Sequence, residues 1–127
     1  MGLDQSVYKM KPSAMISPIA FNEEDPSVSE LMYWRKYWTL QGYMYELAER
    51  NGYNKLKGWD DSFNDVPILL SPKMINSLFH AIDYLTAEEV CDSIDTPLRE
   101  KMLLYQFISK AYKALEDGYV LYYMGDY

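Results

Sequence analysis

A chain of 127 residues, 49% of them hydrophobic, is long enough for one domain with a real core and too apolar for intrinsic disorder. Its formal net charge of −7 argues against direct binding to nucleic acid, because such binding depends on Lys and Arg that neutralise phosphates. With Cys91 as its single cysteine and no apolar run that would span a membrane, the chain is expected in a reducing cytoplasm, with no internal disulfide.

The first half of the chain is dominated by Tyr33–Tyr45, a run with two Trp, four Tyr and only two charges. Before it, Ser27 and Glu30 have the spacing of a capping box, and after it Asn51-Gly52 suits a helix end. These signals predict one helix of roughly 22 to 25 residues that contains the whole run. Aromatic groups would then lie almost all the way round this helix, whereas an ordinary surface helix has one apolar stripe. Such a helix must be covered on more than one side, by its own fold or by a partner.

Strand composition, caps and turn residues predict the other elements. Proline directly after Ser71 and after Thr96 indicates two helix starts, and Gly118 indicates the end of the later helix. In chain order, these elements are a strand at Leu3–Met10, a polar loop at Tyr53–Asp65, a short strand at Val66–Leu70, a helix from Pro72 to Leu85, a short helix near Ala87 to Asp92, a long helix from Pro97 to Leu115 and a strand at Tyr119–Met124.

Strands at both ends of the chain, with helices between them, indicate an α+β fold. Three main helices plus a short one are expected to pack on a small antiparallel sheet in which the C-terminal strand pairs with the N-terminal strand. Pro67 predicts an edge position for its strand, because proline has no N–H to give to a sheet. Residues 1–127 are expected to form a single domain.

The chain also contains four short motifs in a fixed order: Met1-Gly2-Leu3-Asp4, Tyr33-Trp34-Arg35-Lys36, Gln41-Gly42-Tyr43-Met44 and Tyr122-Tyr123. Together they resemble a family of small proteins encoded by bacteriophages and prophages. Gln41 stands where the family pattern usually has His, so any chemistry done by that His would be absent here. The resemblance implies a phage-related origin and an α+β fold, and it assigns no activity.

Acidic and aromatic side chains predict a surface that binds a partner protein. No Lys or Arg occurs between Met74 and Leu98, where acids are frequent, and Tyr and Trp dominate binding hot spots. A host protein with a basic surface would complement this charge. The predicted partner-binding residues are Trp59, Glu88, Glu89, Asp92, Asp95 and Tyr123. The alternative is an acidic surface that only aids solubility, with rings that only fill the core.

A ligand pocket is a second hypothesis. Arg35 has Trp34 and Trp38 nearby in the predicted helix, and a guanidinium can stack on a ring or bind a carboxylate. His80, the only histidine, has Asp83 three residues later, and an acid can orient an imidazole base. The predicted pocket residues are Trp34, Arg35, Trp38, Gln41 and His80, and the ligand or hydrolysis substrate would be nucleotide-like. The alternatives are an Arg35 paired with an acid of the fold and a His80 that faces solvent.

Familiar catalytic and metal-binding motifs do not occur in the sequence. It has no phosphate-binding glycine loop, no Gly-x-Ser-x-Gly elbow and no usual set of zinc ligands. Cys91 lies among acids, which suppress the reactive thiolate. We therefore expect a protein that is not an enzyme, uses no cofactor or metal, and binds and inhibits a host protein, such as one of an antiviral defence system. A homo-oligomer with the aromatic run as its subunit interface is a third hypothesis.

Overall fold

The structure is a computed structural model that describes residues 2–52, 66–87 and 97–126, and every structural statement below refers to these ranges. It is α+β, as predicted, with three helices and a four-stranded antiparallel sheet. The elements are β1 (Asp4–Met10), a 3-10 turn (Pro12–Ala14), β2 (Met15–Ser17), β3 (Ala20–Phe21), β4 (Ser29–Arg35), α1 (Trp38–Arg50), β5 (Ile68–Leu70), α2 (Pro72–Leu85), α3 (Pro97–Glu116) and β6 (Val120–Asp126).

The sheet has the strand order β4-β1-β6-β5, and all three neighbouring pairs are antiparallel. Its central strands, β1 and β6, are the first and last strands described, which confirms the predicted pairing of the two ends of the chain. β5 lies at an edge, directly after Pro67, as the missing N–H of proline requires. The Leu69 amide donates to the Pro18 carbonyl at 2.9 Å, so the turn between β2 and β3 lies against that edge.

The prediction of one long first helix is wrong, because its first part is strand β4 and only α1 is helical. The side chains of β4 alternate: Met32 and Trp34 are buried, whereas Tyr33 and Arg35 are exposed. This period of two is that of a strand with one face on a core. Lys36 then has a φ of 59°, a left-handed conformation outside the helical range, and turns the chain from β4 into α1.

The residues of the predicted capping box make other contacts. The Ser27 hydroxyl accepts a hydrogen bond from the Lys11 amide at 3.0 Å and donates to the Asp25 carboxylate at 2.6 Å. The Glu30 carboxylate accepts from the Ser6 hydroxyl of β1 at 3.1 Å. Both side chains therefore connect neighbouring segments, and neither caps a helix.

The caps predicted for the later helices are confirmed where they are described. The Ser71 hydroxyl accepts from the Met74 amide at 3.2 Å and so caps α2. Gly118, two residues after the end of α3, has a φ of 88°, a conformation that favours glycine. The predicted loop at Tyr53–Asp65 and, apart from Ala87, the predicted short helix near Ala87 to Asp92 lie outside the described residues.

The sheet has a different cover on each face. Alternate residues of β1, β5 and β6 point to the helices and form the main core, in which the rings of Trp34 and Phe107 meet edge to face at 5.3 Å. The opposite face packs on the β2–β3 hairpin, where Phe21 lies 4.9 Å from the Tyr122 ring. Within the described ranges, no helix combines the length and apolar character needed to cross a membrane.

Candidate functional site

Large apolar side chains lie in solvent on the side of α2 and α3 that faces away from the sheet. They are Phe79, Tyr84, Leu98, Met102, Tyr105 and Tyr112, each between 41% and 72% exposed. Single exposed apolar residues are normal on protein surfaces, but neighbouring ones mark binding surfaces. This group therefore makes the outer side of the helices a candidate interaction site.

Three contacts across α2 and α3 involve Phe79, Tyr105 and Tyr112 of this group and polar residues beside them. We call the resulting surface the aromatic seam, and its residues are Asn76, Phe79, Asp83, Lys101, Tyr105 and Tyr112. The rings of Phe79 and Tyr105 lie 6.1 Å apart in an edge-to-face arrangement. At one end of the seam, Lys101 forms an ion pair of 2.7 Å with Asp83. At the other end, the Tyr112 hydroxyl donates to the Asn76 side-chain oxygen at 3.5 Å.

The spacing of residues along each helix explains why the seam is exposed. Phe79 and Asp83 are four residues apart, and so are Lys101 and Tyr105, which places each pair on one side of its helix. The opposite side of α2 is buried in the core. The Asp83 carboxylate accepts a hydrogen bond from Lys101, and this bond raises the pKa of the Lys101 ammonium group, which therefore keeps its charge at neutral pH.

A groove between α1 and α2, which we call the acidic groove, adds charge to the same side of the molecule. It has a volume of about 550 Å³ and is lined by Tyr43, Glu46, Glu49, Arg50 and Tyr84. The Arg50 guanidinium lies 5.9 Å from the centre of the Tyr43 ring, within range of a cation–π contact. Burial raises the pKa of the Tyr43 hydroxyl, and a hydrogen bond from Arg50 partly offsets this. Two rings and two carboxylates together suit a cationic side chain.

The structure does not bring the five residues of the predicted ligand pocket together. Trp34 and Gln41 are buried in the core, at 3% and 6% exposure. Arg35 and Trp38 are exposed, and so is His80, whose ring meets Phe79 at 5.4 Å beside the aromatic seam. The prediction assumed that Trp34, Arg35, Trp38 and Gln41 belong to one helix. In the structure the turn at Lys36 separates strand β4 from helix α1, so these residues do not share one helix face.

Tyr123 was predicted to contact a partner, but it is fully buried and cannot do so from its position in the core. Its hydroxyl accepts from the Gln5 amide nitrogen at 3.0 Å and donates to the side-chain oxygen of Gln41. The Gln5 side chain also bonds the backbone N–H and C=O of Tyr37, each at 2.9 Å. These contacts form a buried polar cluster of Gln5, Tyr37, Gln41 and Tyr123 that fixes the start of α1 on the sheet.

Two buried donors have no hydrogen-bond partner among the described residues: Gln41 Nε2, which belongs to this cluster, and Trp34 Nε1. A buried donor without an acceptor costs about 1–3 kcal/mol. The oxygen of the same Gln41 side chain accepts a hydrogen bond from the buried Tyr123 hydroxyl, and this bond offsets part of the cost. The cluster has the character of a structural element, and it is not open to a ligand.

The other predicted partner-binding residues, Trp59, Glu88, Glu89, Asp92 and Asp95, lie outside the described residues. Sequence reasoning missed the seam residues Phe79, Tyr105 and Tyr112. A signal for them existed, because these large side chains fall off the apolar stripe of their helices and had no assigned place in the core. Within the described ranges, no three His, Cys, Asp or Glu side chains are arranged to hold a metal ion.

No protein-family profile, curated protein or solved structure matches this chain. The inference of function therefore rests on the surfaces described above.

Proposed function

We propose that the chain is a phage-encoded interaction protein, without enzymatic activity, that acts in the cytoplasm of the host cell. It binds a basic surface of a host protein, such as a component of antiviral defence, and blocks that protein. Its binding surface is the outer side of the helices, formed by the aromatic seam and the acidic groove. The observation that carries this proposal is the pair of exposed rings, Phe79 and Tyr105, that meet across α2 and α3.

The aromatic seam has the side-chain types that supply binding energy in protein interfaces. Phe, Tyr and Met are enriched in interfaces, and truncation of a central aromatic residue costs about 2 kcal/mol or more. Phe79 and Tyr105 are still about 40% exposed in the free protein, at 41% and 42%. A partner that covers them would remove this apolar area from water. Their mutual contact holds both rings in place before binding, which lowers the entropy cost of association.

The acidic groove supports a basic partner. Glu46 and Glu49 are exposed acids beside the rings of Tyr43 and Tyr84, and Arg50 demonstrates within the chain that a guanidinium fits against Tyr43. An arginine or lysine of the partner would contact Glu46, Glu49 and the Tyr84 ring, since Arg50 already occupies the position at Tyr43. The net charge of −7 adds long-range attraction to a basic protein, and salt would weaken it.

The acids predicted from the sequence extend this hypothesis. Glu88, Glu89, Asp92 and Asp95 belong to the chain segment that connects α2 with α3, and these are the helices of the aromatic seam. Their role in partner binding stays a prediction. Charge reversal at Glu88, Glu89 and Asp92 should weaken capture of a basic partner.

Affinity capture from bacterial lysate, at low and high salt, tests the proposal with matched variants. Phe79→Ser combined with Tyr105→Ser removes the centre of the seam. Met15→Ser combined with Ile16→Ser removes two exposed apolar side chains of β2, at 43% and 69% exposure, and serves as the control. We expect the original chain and the control to retain one basic host protein at low salt, and the seam variant to lose it. Circular dichroism verifies that both variants are folded.

Two results would contradict the proposal. One is the same set of captured proteins with the seam variant as with the original chain. The other is self-association: sedimentation that depends on protein concentration, abolished by the seam variant, would make a second copy of this chain the occupant of the seam.

A further inference from the structure

Two adjoining clefts lie at the end of the sheet where β1 stops and β4 and β6 begin. Lys9 lines both of them. The first cleft has a volume of about 460 Å³ and also contains Lys11, Ser13, Ser29 and Tyr119. The second has a volume of about 330 Å³ and contains Lys110 and Lys113 near the end of α3. Volumes of this size fall within or near the range of small-molecule sites.

The charge at these clefts is opposite in sign to that of the whole protein. The chain has a net charge of −7 and twelve Lys and Arg residues, and four of the lysines line the two clefts. Because the chain as a whole is acidic, the concentration of lysines at these clefts is specific to this part of the surface.

Three carboxylates also lie in the clefts, but each already has a partner. Asp25 accepts hydrogen bonds from the amide and hydroxyl of Ser27, at 2.8 and 2.6 Å. These bonds lower the pKa of Asp25 more than the charge of Lys11 does. Asp117 forms its ion pair with Lys113 at 3.2 Å.

Glu30 is the third carboxylate, and it accepts from the hydroxyl of Ser6 at 3.1 Å. By contrast, Lys9, Lys11 and Lys110 take part in no ion pair within the described ranges. The Lys9 ammonium lies 4.9 Å above the Tyr119 ring, which holds it at the boundary between the two clefts. The clefts therefore contain three lysines that are not held in an ion pair, together with hydroxyl groups that can donate.

We propose that the first cleft binds a phosphate-bearing small molecule, with Lys9 and Lys11 on the phosphate oxygens and the hydroxyls of Ser13 and Ser29 as further donors. Lysine binds phosphate as a compact point charge. The C-terminal end of α3 carries partial negative charge, so the second cleft contributes attraction through its lysines but does not hold the phosphate itself. This site is separate from the aromatic seam and independent of the proposed partner binding.

Titration of the ¹⁵N-labelled protein with pyrophosphate tests the site, with inorganic phosphate as a second probe and chloride at equal ionic strength as the background. We expect saturable shifts of the amides of residues 9–13 and 27–29. Lys9→Gln and Lys11→Gln should each weaken pyrophosphate binding about tenfold, the loss typical of one charged contact. Lys73→Gln, an exposed lysine of α2, is the matched control and should leave the affinity unchanged.

The two probes distinguish the sources of phosphate. Tighter binding of pyrophosphate than of inorganic phosphate would indicate a di- or triphosphate ligand, and equal binding would indicate free phosphate or a monoester. Shifts that fail to saturate, or an equal loss of affinity with Lys73→Gln, would overturn the proposal. Displacement of pyrophosphate by a short single-stranded oligonucleotide at lower concentration would overturn the assignment to a small molecule. Unshifted signals of the main core in each variant verify that it is folded.

Discussion

Replacement of Gly125 by alanine tests whether the buried amide of Gln41 holds α1 on the sheet. Gly125 lies on β6, paired with Gln5, and its α-carbon faces the end of the Gln41 side chain. An ideal Cβ at position 125 would lie 2.8 Å from both Cδ and Nε2 of Gln41, and closer still to Oε1. Non-bonded contacts of a Cβ essentially never fall below 3.0 Å, so the Gln41 amide must move.

The expected cost follows from the hydrogen bond that this movement breaks. The Tyr123 hydroxyl donates to Gln41 and has no access to water, because Tyr123 is fully buried. It keeps the bond that it accepts from Gln5, but its hydrogen bond to the Gln41 oxygen is distorted or broken. Disruption of a buried hydrogen bond costs about 1–3 kcal/mol, and we expect Gly125→Ala to lower the free energy of unfolding by about 2 kcal/mol.

Urea unfolding followed by circular dichroism measures this change, and a double-mutant cycle tests its cause. Gln41→Ala removes the group that collides, so Gly125→Ala should cost less than about 0.5 kcal/mol when made in that variant. If Gly125→Ala costs the same with and without the Gln41 side chain, the reasoning is refuted. In that case the loss does not arise from contact with the Gln41 side chain.

Substitutions at three further positions have expected outcomes, each measured by equilibrium unfolding. Gly42→Ala should stabilise the protein by about 0.5–1 kcal/mol, because Gly42 is an exposed residue inside α1 and a Cβ there would meet nothing within 4 Å; any destabilisation would contradict this. Lys36→Val should destabilise by about 1–2 kcal/mol and Lys36→Gly should not, because only glycine adopts a φ of 59° without strain. Tyr123→Phe should cost about 1 kcal/mol at neutral pH. Burial raises the pKa of Tyr123 above its unfolded value of about 10, so its stabilisation is complete below pH 10 and is lost as the pH rises further, because only the unfolded state ionises there. The phenylalanine variant should therefore lose less stability above pH 10, and equal losses in both proteins would exclude this cause.

Caps, turn residues and strand composition predicted an element correctly where the folded chain uses the same residues in the same way. The cap at Ser71, the turn at Gly118 and the strand composition of β1 and β6 need no knowledge of distant residues, and all are confirmed. β4 was predicted as helix because Ser27 and Glu30 have helix-capping spacing. In the structure the same two side chains form hydrogen bonds with Asp25, Lys11 and Ser6. Ser6 belongs to β1 and Lys11 follows it, so these tertiary contacts, which the local sequence does not show, favour a strand over a helix.

The candidate site could be predicted in its chemistry but not in its residues. Acidic and aromatic composition predicted a binding surface, and the acidic groove combines both side-chain types. That this groove binds a partner stays a prediction. Its members, and those of the aromatic seam, come from different helices whose packing no local pattern reports. The cleft lysines illustrate the same limit, since Lys9 and Lys110 are far apart in sequence and line one cleft only after β1 and α3 have packed.

The central position of β1 and β6 determines when this sheet can be completed during synthesis. Gln5 and Tyr123 are 118 residues apart in sequence, yet they are hydrogen-bonded in the core. At ribosomal rates of about 5–20 residues per second, β1 has to wait roughly 6 to 24 seconds for the strand that becomes its neighbour. During that time the emerging chain presents an unpaired edge and an uncovered apolar face to every other protein nearby. We therefore expect the yield of folded protein in cells to depend on chaperones that bind nascent chains, and to fall when those chaperones are depleted.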